Sequence, residues 1–221
     1  MPIPGIPTLT RRSDAGLSLG LGRGLTRRGV IGLGLAGAAA LAIPAPSFAM
    51  TDDDARALID KAIADVNGAI ESGKTGPALY AVFEQIFTKY ADVPTIARSA
   101  LGTASRQATP AQMNQFTTAF RGYVARKYGS RFREFIGAKF EVQDAEPVKS
   151  FYEVTTTAFL RGRNPFNVVW QVSDKSGRPL FFNIIIEGVN MLAAERTEIG
   201  AMLDQQQGDI DGLIRSVQAA G

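Results

Sequence analysis

Residues 166–187 read FNVVWQVSDKSGRPLFFNIIIE, and this stretch contains the clearest β-hairpin of the chain. Apolar side chains alternate through Phe166–Asp174 and return in Leu180–Glu187, with the two-residue period of a strand. The residues DKSG at 174–177 are typical of a tight turn. We therefore predict two adjacent antiparallel strands here.

Two further strand-like segments, Lys139–Glu146 and Phe151–Arg161, precede this hairpin. The links between all four segments are short, which favours an antiparallel meander. Elsewhere apolar residues recur every three or four positions, as in amphipathic helices. The predicted helices run from Thr51 to Gly73, from Pro77 to Tyr90, from Asp92 to Gly102, from Thr109 through a bend at Gly129 towards Phe135, from Met191 to Gln206 and from Asp209 to Ala219. This order predicts an α+β fold, a four-stranded antiparallel sheet packed with about six helices.

The strongest helix-start signal lies at Thr109-Pro110, followed by Gln112. Thr109 at the N-cap and Gln112 three residues later form the pattern of a capping box, and proline suits the first helical position. Asp92 is predicted to open the helix before this one, and Asp209 is the predicted N-cap of the last helix.

Residues 1–49 have the features of an export signal. Arg27 and Arg28 precede an uncharged Gly/Ala/Leu run, Val30–Ile43, and small residues at 47 and 49 predict cleavage before Met50. The paired arginines resemble a twin-arginine signal, and a general secretory signal stays an alternative. The run is too short for a membrane span. We expect a cleaved leader, residues 1–49, and a single periplasmic domain, residues 50–221.

The positive charge belongs to the leader. The formal net charge of the chain is +3, and the leader holds five arginines against one aspartate. The remaining residues are close to neutral, so the basic composition gives no reason to expect a nucleic-acid partner. The chain has no cysteine and no histidine. It therefore lacks disulfides, thiolate metal sites and any Ser-His-Asp arrangement, and we expect neither a cofactor nor a metal.

Two short motifs imitate ligand-binding loops. Residues 68–75, GAIESGKT, match the phosphate-binding pattern G-x-x-x-x-G-K-[ST], which requires a preceding strand. Here an amphipathic helix precedes it, so we interpret the motif as a helix C-terminus and turn and expect no nucleotide. Residues 208–212, GDIDG, lack the twelve-residue loop of a calcium site, so we interpret Asp209 there as an N-cap.

The last two predicted strands carry apolar side chains on both faces. Strict alternation places Ile184 and Ile186 on one face and Phe181 on the other. A sheet with one face on the core and the other in solvent alternates more cleanly between apolar and polar side chains. Either helices cover both faces, or one face lines an apolar cavity for a long ligand, and the residues alone leave both readings open.

Nearly the whole predicted mature chain resembles a known family. From about Asp52 to Val217 it is similar to MlaC-type proteins, the periplasmic phospholipid-binding components of the Mla (toluene-tolerance) lipid transport pathway. The most specific segments are ATPAQ at 108–112, Phe116, AFRGY at 119–123, EGVNM at 187–191 and GDIDGL at 208–213. The leader departs from the commonest members, since it is longer and resembles a twin-arginine signal.

This resemblance implies a non-enzymatic lipid carrier. Its α+β pocket would take the acyl chains of a glycerophospholipid and leave the headgroup near solvent. The expected partners are an outer-membrane lipoprotein complex and an inner-membrane ABC transporter with an MCE-domain ring, where another protein hydrolyses ATP. Some relatives imply a hopanoid ligand instead. A ligand-free adaptor stays an alternative, as does an exported hydrolase that pairs Glu187 with Asp174 or Glu153.

The candidate site residues come from periodicity. Those predicted to line the lipid pocket are Phe83, Phe87, Phe116, Phe120, Tyr123, Val154, Trp170, Ile184, Ile186 and Met191. Those predicted to meet a headgroup or a partner are Arg121, Arg126, Lys127, Arg131 and Arg133. A simple solvated face is the alternative for the basic residues.

Overall fold

Helices come first, then a meander of strands, then helices, in a computed structural model that describes residues 50–131 and 136–221. The helices are α1 (Asp52–Glu71), α2 (Gly76–Tyr90), α3 (Val93–Leu101), α4 (Pro110–Gly129), α5 (Met191–Gln205) and α6 (Ile210–Ala219). The strands are β1 (Lys139–Val148), β2 (Phe151–Phe159), β3 (Phe166–Ser173), β4 (Leu180–Ile186) and β5 (Val189–Asn190). The predicted α+β class, with six described α-helices and an antiparallel sheet, is confirmed.

The sheet has five strands in the order β1-β2-β3-β4-β5, so the prediction of four strands was wrong. The extra strand arises because Glu187 and Gly188 both have positive φ, 49° and 80°. A two-residue loop with both residues in that region turns the chain straight back on itself. Ile186 then pairs with Val189. A strand of two residues is too short to produce a period in the sequence.

A register shift between β3 and β4 also changes the expected faces. Trp170 lies opposite Ile184, but Val172 lies opposite Phe181, so β4 holds one extra residue there. This bulge brings Phe181 to the face of Ile184, and strict alternation placed it wrongly. Phe181 packs edge-on against Trp170, with ring centroids 5.4 Å apart, and its ring lies 6.3 Å from that of Phe87 in α2.

The predicted helix starts are confirmed. Thr109 and Gln112 form both halves of a capping box, with the Gln112 backbone N–H donating to Thr109 Oγ1 at 3.2 Å. Asp92 and Asp209 accept backbone hydrogen bonds as the N-caps of α3 and α6. Residues 68–71 form the last turn of α1, and Gly73 follows with a φ of 69°. The GAIESGKT motif is therefore a helix exit, as predicted.

The helices cover one face of the sheet. Helix α1 packs against β1 and β2, α3 and α5 pack against β4, and α4 lies among α2, α3 and α6. The main core forms between these layers, and Phe116, Phe120 and Leu213 in it are fully buried. No helix among the described residues combines the length and apolar character needed to cross a bilayer.

Candidate functional site

The covered face of the sheet is mostly apolar but is unevenly buried. Val154 and Val172 are completely buried, whereas Phe166, Trp170 and Ile186 keep part of their surface. The buried residues lie under the helices. At the sheet end where β3 begins and β4 ends, Ala158 and Val168 are buried too, but the larger side chains of Phe166 and Ile186, and of Trp170 further along β3, stay partly exposed. This end is the candidate site.

We call these residues the sheet-end cluster. Its members share a continuous apolar contact: Ala158, Leu160 and Val168 are buried, and Ala138, Phe140, Phe166, Trp170, Ile184 and Ile186 pack around them, partly exposed. Trp170 and Ile184 also pack against the main core. The most exposed large apolar residues of the described chain, Ile136 at 59% and Val189 at 57%, lie just before β1 and just after β4. Apolar surface is thus concentrated at this end of the sheet.

The predicted pocket residues divide between the core and this cluster. Phe116, Phe120, Tyr123 and Val154 are at most 1% exposed within the main core. Phe83 belongs to a separate buried group beneath α2, with Leu79, Ala69 and Ala125. Phe87 and Met191 are partly buried.

Trp170, Ile184 and Ile186 are the predicted pocket residues that the structure places in the sheet-end cluster. Trp170 is oriented by its indole N–H, which donates to Thr156 Oγ1 at 3.1 Å. Sequence reasoning left out Phe140 and Phe166 as site residues. Phe166 begins a strand already identified, so its position at the strand end was the available signal.

The predicted basic surface is largely committed to contacts within the fold. Arg121 Nε pairs with Glu84 Oε1 at 2.7 Å, across α4 and α2. Lys127 lies in a partly buried ion pair with Glu195. Arg131 is exposed, and Arg133 lies outside the described residues.

Arg126 closes the C-terminal end of α6. Its guanidinium donates to the carbonyl oxygens of Val217, Gln218 and Ala220 at distances of 2.6–3.1 Å. These carbonyls have no partner within the helix. We expect Arg126→Met to lower the free energy of unfolding by about 1–3 kcal/mol, because hydrogen bonds from a charged donor are lost. Urea denaturation measures this, with the exposed Arg131→Met as the control, and equal losses in both would contradict the role.

A group of polar side chains joins α4 to α5, and we call it the α4–α5 polar cluster. Its members are Tyr123, Lys127, Tyr128, Glu195 and Glu198. Lys127 Nζ donates to Glu195 Oε1 at 2.7 Å, to Glu198 Oε2 at 2.5 Å and to the Tyr123 hydroxyl at 3.0 Å. The Tyr123 hydroxyl donates to Glu198 Oε1 at 2.5 Å, and the Tyr128 hydroxyl donates to Glu195 Oε1. Nothing in the sequence period pointed to this cluster.

Mutual contacts fix the charges in this cluster. Burial raises the pKa of Tyr128, and its bond to Glu195 raises it further. Burial alone would lower the pKa of Lys127, but the bonds to Glu195 and Glu198 leave it raised. Burial alone would raise the pKa of Glu198, but hydrogen bonds from Lys127 and Tyr123 leave it lowered. At neutral pH Lys127 and Glu198 are therefore charged, and the tyrosines are neutral.

The lowered pKa of Glu198 has a consequence for acid stability. A carboxyl group with a lowered pKa in the folded state stabilises the fold above its ordinary pKa, about 4.3, and that contribution disappears as the pH falls through the folded value. We expect Glu198→Gln to flatten the loss of stability below about pH 4.5. Urea midpoints between pH 7 and pH 3 measure this, and parallel curves for both proteins would contradict it.

The carboxylates considered for hydrolysis do not meet. Asp174 follows β3 and Glu187 follows β4, at opposite ends of a seven-residue strand, so roughly 20 Å separate them. Glu153 lies near the start of β2, where its carboxylate accepts a hydrogen bond from Gln171 Nε2 at 2.8 Å. The predicted alternative pairing of Glu187 with Asp174 is therefore wrong.

Two surface clefts lined by described residues offer little to an acyl chain. One, of about 510 Å³, lies between α2 and α4, and Glu84, Lys89 and Arg121 are among its lining residues. The other, of about 320 Å³, is lined by Asn114, Gln115, Thr118 and Gln218. Both are open and carry polar side chains, whereas lipid sites are mostly apolar. This contrast favours the sheet-end cluster as the candidate site.

Comparison with known proteins agrees with this architecture. The fold is similar to that of the phospholipid-binding protein from Ralstonia solanacearum, solved in complex with a phospholipid, with a TM-score of 0.63 and 19% sequence identity. The likeness covers 75% of this chain and 96% of that one, and at this identity it concerns the fold alone. The sequence profile of the MlaC protein family matches residues 56–219, from α1 to the end of α6. The chain therefore belongs to the MlaC family.

Proposed function

We propose that this protein is a lipid carrier that holds the acyl chains of a glycerophospholipid against the sheet-end cluster. The observation that carries the proposal is a group of large apolar side chains, Phe166, Trp170 and Ile186, that are only partly buried. Neighbouring apolar side chains that keep exposed surface often mark a ligand-binding or interaction site. Membership of the MlaC family and the bound phospholipid of the Ralstonia protein support the same ligand class.

The energetics favour a carrier that transfers its ligand by contact. Each buried CH₂ group is worth about 0.8 kcal/mol, so two acyl chains in water would cost on the order of 20 kcal/mol. Neither a membrane nor this protein releases such a ligand into solution at a useful rate. The apolar surface at the sheet end must therefore compete with a bilayer, and hand-over needs a docked partner.

The proposed route runs through the periplasm. The ligand would move between an outer-membrane lipoprotein complex and an inner-membrane ABC transporter with MCE domains, and the family of this chain supports that setting. In this route the transporter, and not this protein, would hydrolyse ATP. The protein would act by binding rather than catalysis, in keeping with the wide separation of Asp174 and Glu187.

One experiment tests the proposed ligand. The protein, expressed with its leader and purified from the periplasm, is extracted with organic solvent, and the lipids are identified by mass spectrometry. We expect diacyl glycerophospholipid at close to one molecule per protein. A hopanoid at that ratio would mean that the carrier takes a hopanoid instead of a glycerophospholipid. An extract without lipid would favour the ligand-free adaptor and contradict the proposal.

We propose that export leaves Met50 as the N-terminal residue. Met50 is only 7% exposed, its backbone nitrogen lies 3.3 Å from Asp174 Oδ2, and its carbonyl accepts from the Tyr152 hydroxyl at 2.7 Å. Cleavage before Met50 would place a charged α-ammonium group beside Asp174, where the uncleaved chain has a neutral amide. This start would be held firmly on the sheet.

We expect Asp174→Asn to lower the free energy of unfolding by about 0.5–1 kcal/mol in a chain that begins at Met50, because an ion pair is lost. In a chain that retains preceding residues the loss should be smaller. Urea denaturation of the four proteins measures the difference, and N-terminal sequencing of exported protein identifies the start. An equal loss in both chains would contradict an ion pair at Met50.

A further inference from the structure

A rim of exposed residues borders the sheet end that holds the sheet-end cluster. Three segments form it: residues 136–139 at the start of β1, residues 161–165 between β2 and β3, and residues 187–190 after β4. The antiparallel pairings bring all three to the same end of the sheet. Every residue in them except Ala138 is exposed. We call these segments the sheet-end rim.

The two most exposed large apolar side chains of the described residues, Ile136 and Val189, both belong to this rim. Val189 lies directly opposite Ile186 of the sheet-end cluster. Residues that pair in this way share one face of the sheet. Ile136 lies two residues before Ala138, which packs in the same cluster. The rim therefore exposes apolar side chains next to the cluster, at both edges of the sheet.

Basic side chains lie between these two apolar residues. Lys139, Arg161 and Arg163 are exposed in the rim, and Glu187 is its acidic residue. The Arg161 guanidinium lies beside the first segment, since a Cβ atom built on Gly137 would be 3.5 Å from Arg161 Nε. This local excess of positive charge favours an anionic surface as the partner.

The opposite end of the sheet provides an internal comparison. Its turns carry the same charged groups, three basic residues and one acidic residue: Lys149, Lys175, Arg178 and Asp174. No large apolar residue among the described residues is exposed there. Positive charge is thus common to both ends, and exposed apolar side chains distinguish the rim.

The spacing of the apolar residues favours a bilayer over a protein as the partner. Strands β1 and β5 are four strand spacings apart, roughly 19 Å, and the loop with Arg161 and Arg163 lies between them. Protein interfaces are usually depleted of charged residues at their centre. A bilayer surface instead accepts separate apolar side chains and surrounds them with headgroups, and anionic headgroups attract Lys and Arg.

We propose that the sheet-end rim docks on the surface of a bilayer that contains anionic phospholipid, with Ile136 and Val189 inserted between the headgroups. This inference rests on the proposed lipid-carrier function, to which it adds the surface where cargo is exchanged. Docking in this orientation would place the sheet-end cluster against the bilayer. An acyl chain could then pass between bilayer and protein without crossing water.

Flotation of the exported protein with vesicles tests this docking. The vesicles contain either equal amounts of phosphatidylcholine and phosphatidylglycerol or phosphatidylcholine alone, and binding is measured at low salt, where surface charges are least screened. We expect binding to the anionic vesicles to be stronger by on the order of tenfold, because each basic residue near such a surface contributes. Equal binding to both vesicles overturns the inference. Binding to neither also overturns it and would assign the rim to a protein partner.

Substitutions at Val189 test insertion of the apolar side chain. Val189→Asp should weaken binding to the anionic vesicles by about tenfold or more, because apolar contact is lost and a negative charge meets the headgroups. Val189→Leu keeps the apolar contact, and we expect it to bind at least as well as the unaltered protein. Similar losses in both variants would overturn insertion at this position. Circular dichroism melting curves verify that both variants are folded.

Two charge variants at opposite ends of the sheet locate the basic contribution. Arg161→Gln removes a charge from the rim, and we expect binding to the anionic vesicles to weaken by about fivefold. Lys149→Gln removes a charge from the turn between β1 and β2, and we expect binding to be unchanged. Equal losses would assign binding to the net charge of the protein and overturn the docking surface.

The co-purified lipid separates this inference from the carrier function. A protein that carries lipid but does not float with either vesicle overturns the docking surface alone. A protein that floats with anionic vesicles and loses this binding in Val189→Asp, but carries no lipid, supports the docking surface and contradicts the carrier function.

Discussion

Ile186→Asp should remove the proposed phospholipid ligand while the domain remains folded. Ile186 lies at the end of β4 in the sheet-end cluster and is only partly buried, so the fold tolerates a change there better than in the core. A charge at this position would face the acyl chains, and burying an unpaired carboxylate against hydrocarbon is strongly unfavourable. We expect the lipid that co-purifies to fall by about tenfold or more, as quantified by mass spectrometry.

The neighbouring residue supplies a matched control. Ile185 pairs with Val169 and points to the opposite face of the sheet. Ile185→Asp introduces the same charge into the same strand, and we expect it to keep its lipid. Circular dichroism melting curves establish that both variants are folded. A folded Ile186→Asp protein with normal lipid content would remove this residue, and the adjoining face, from the site.

Phe120→Ala should cause the largest loss of stability. Phe120 is completely buried, with ring centroids 5.8 Å from Phe116 and 6.1 Å from Tyr123. Truncating a buried phenylalanine removes its transfer free energy and leaves a cavity, which together cost about 3–5 kcal/mol. We expect the free energy of unfolding to fall by that amount in urea denaturation.

Delipidated protein is required for this measurement, because a bound ligand adds its own stability. The comparison is Phe166→Ala in the sheet-end cluster, where the ring is only partly buried and the expected loss is about 1–2 kcal/mol. The lipid content should show the reverse order, with Phe166→Ala the more affected. Equal losses of stability would mean that Phe166 is as well packed as the core, which contradicts an open apolar surface at the sheet end.

Local signals predicted most of the fold. Thr109 with Gln112, and Asp92 and Asp209, identify helix starts because each cap is a contact between residues close in sequence. The bulge that turns Phe181 to the helix side was missed, because no residue type in β4 marks where the strand holds its extra residue. The strand Val189–Asn190 was missed because it owes its existence to the turn before it.

The site was harder to predict, for a physical reason. Periodicity shows that Phe120 and Ile186 both face inwards, but it does not show whether protein fills the space beyond each ring or methyl group. In the structure protein encloses Phe120 and covers Ile186 only in part. The α4–α5 polar cluster joins Lys127 to Glu195, which is 68 residues away, and no short-range pattern connects them.

The central claim is that acyl chains lie on the sheet-end cluster, and photo-crosslinking tests it most directly. A phospholipid with a diazirine near the end of one acyl chain is loaded, irradiated, and mapped by peptide mass spectrometry. We expect labels on β1, β3 and β4, around Phe140, Phe166 and Ile186. Labels confined to the cleft between α2 and α4, around Glu84 and Arg121, would contradict the claim.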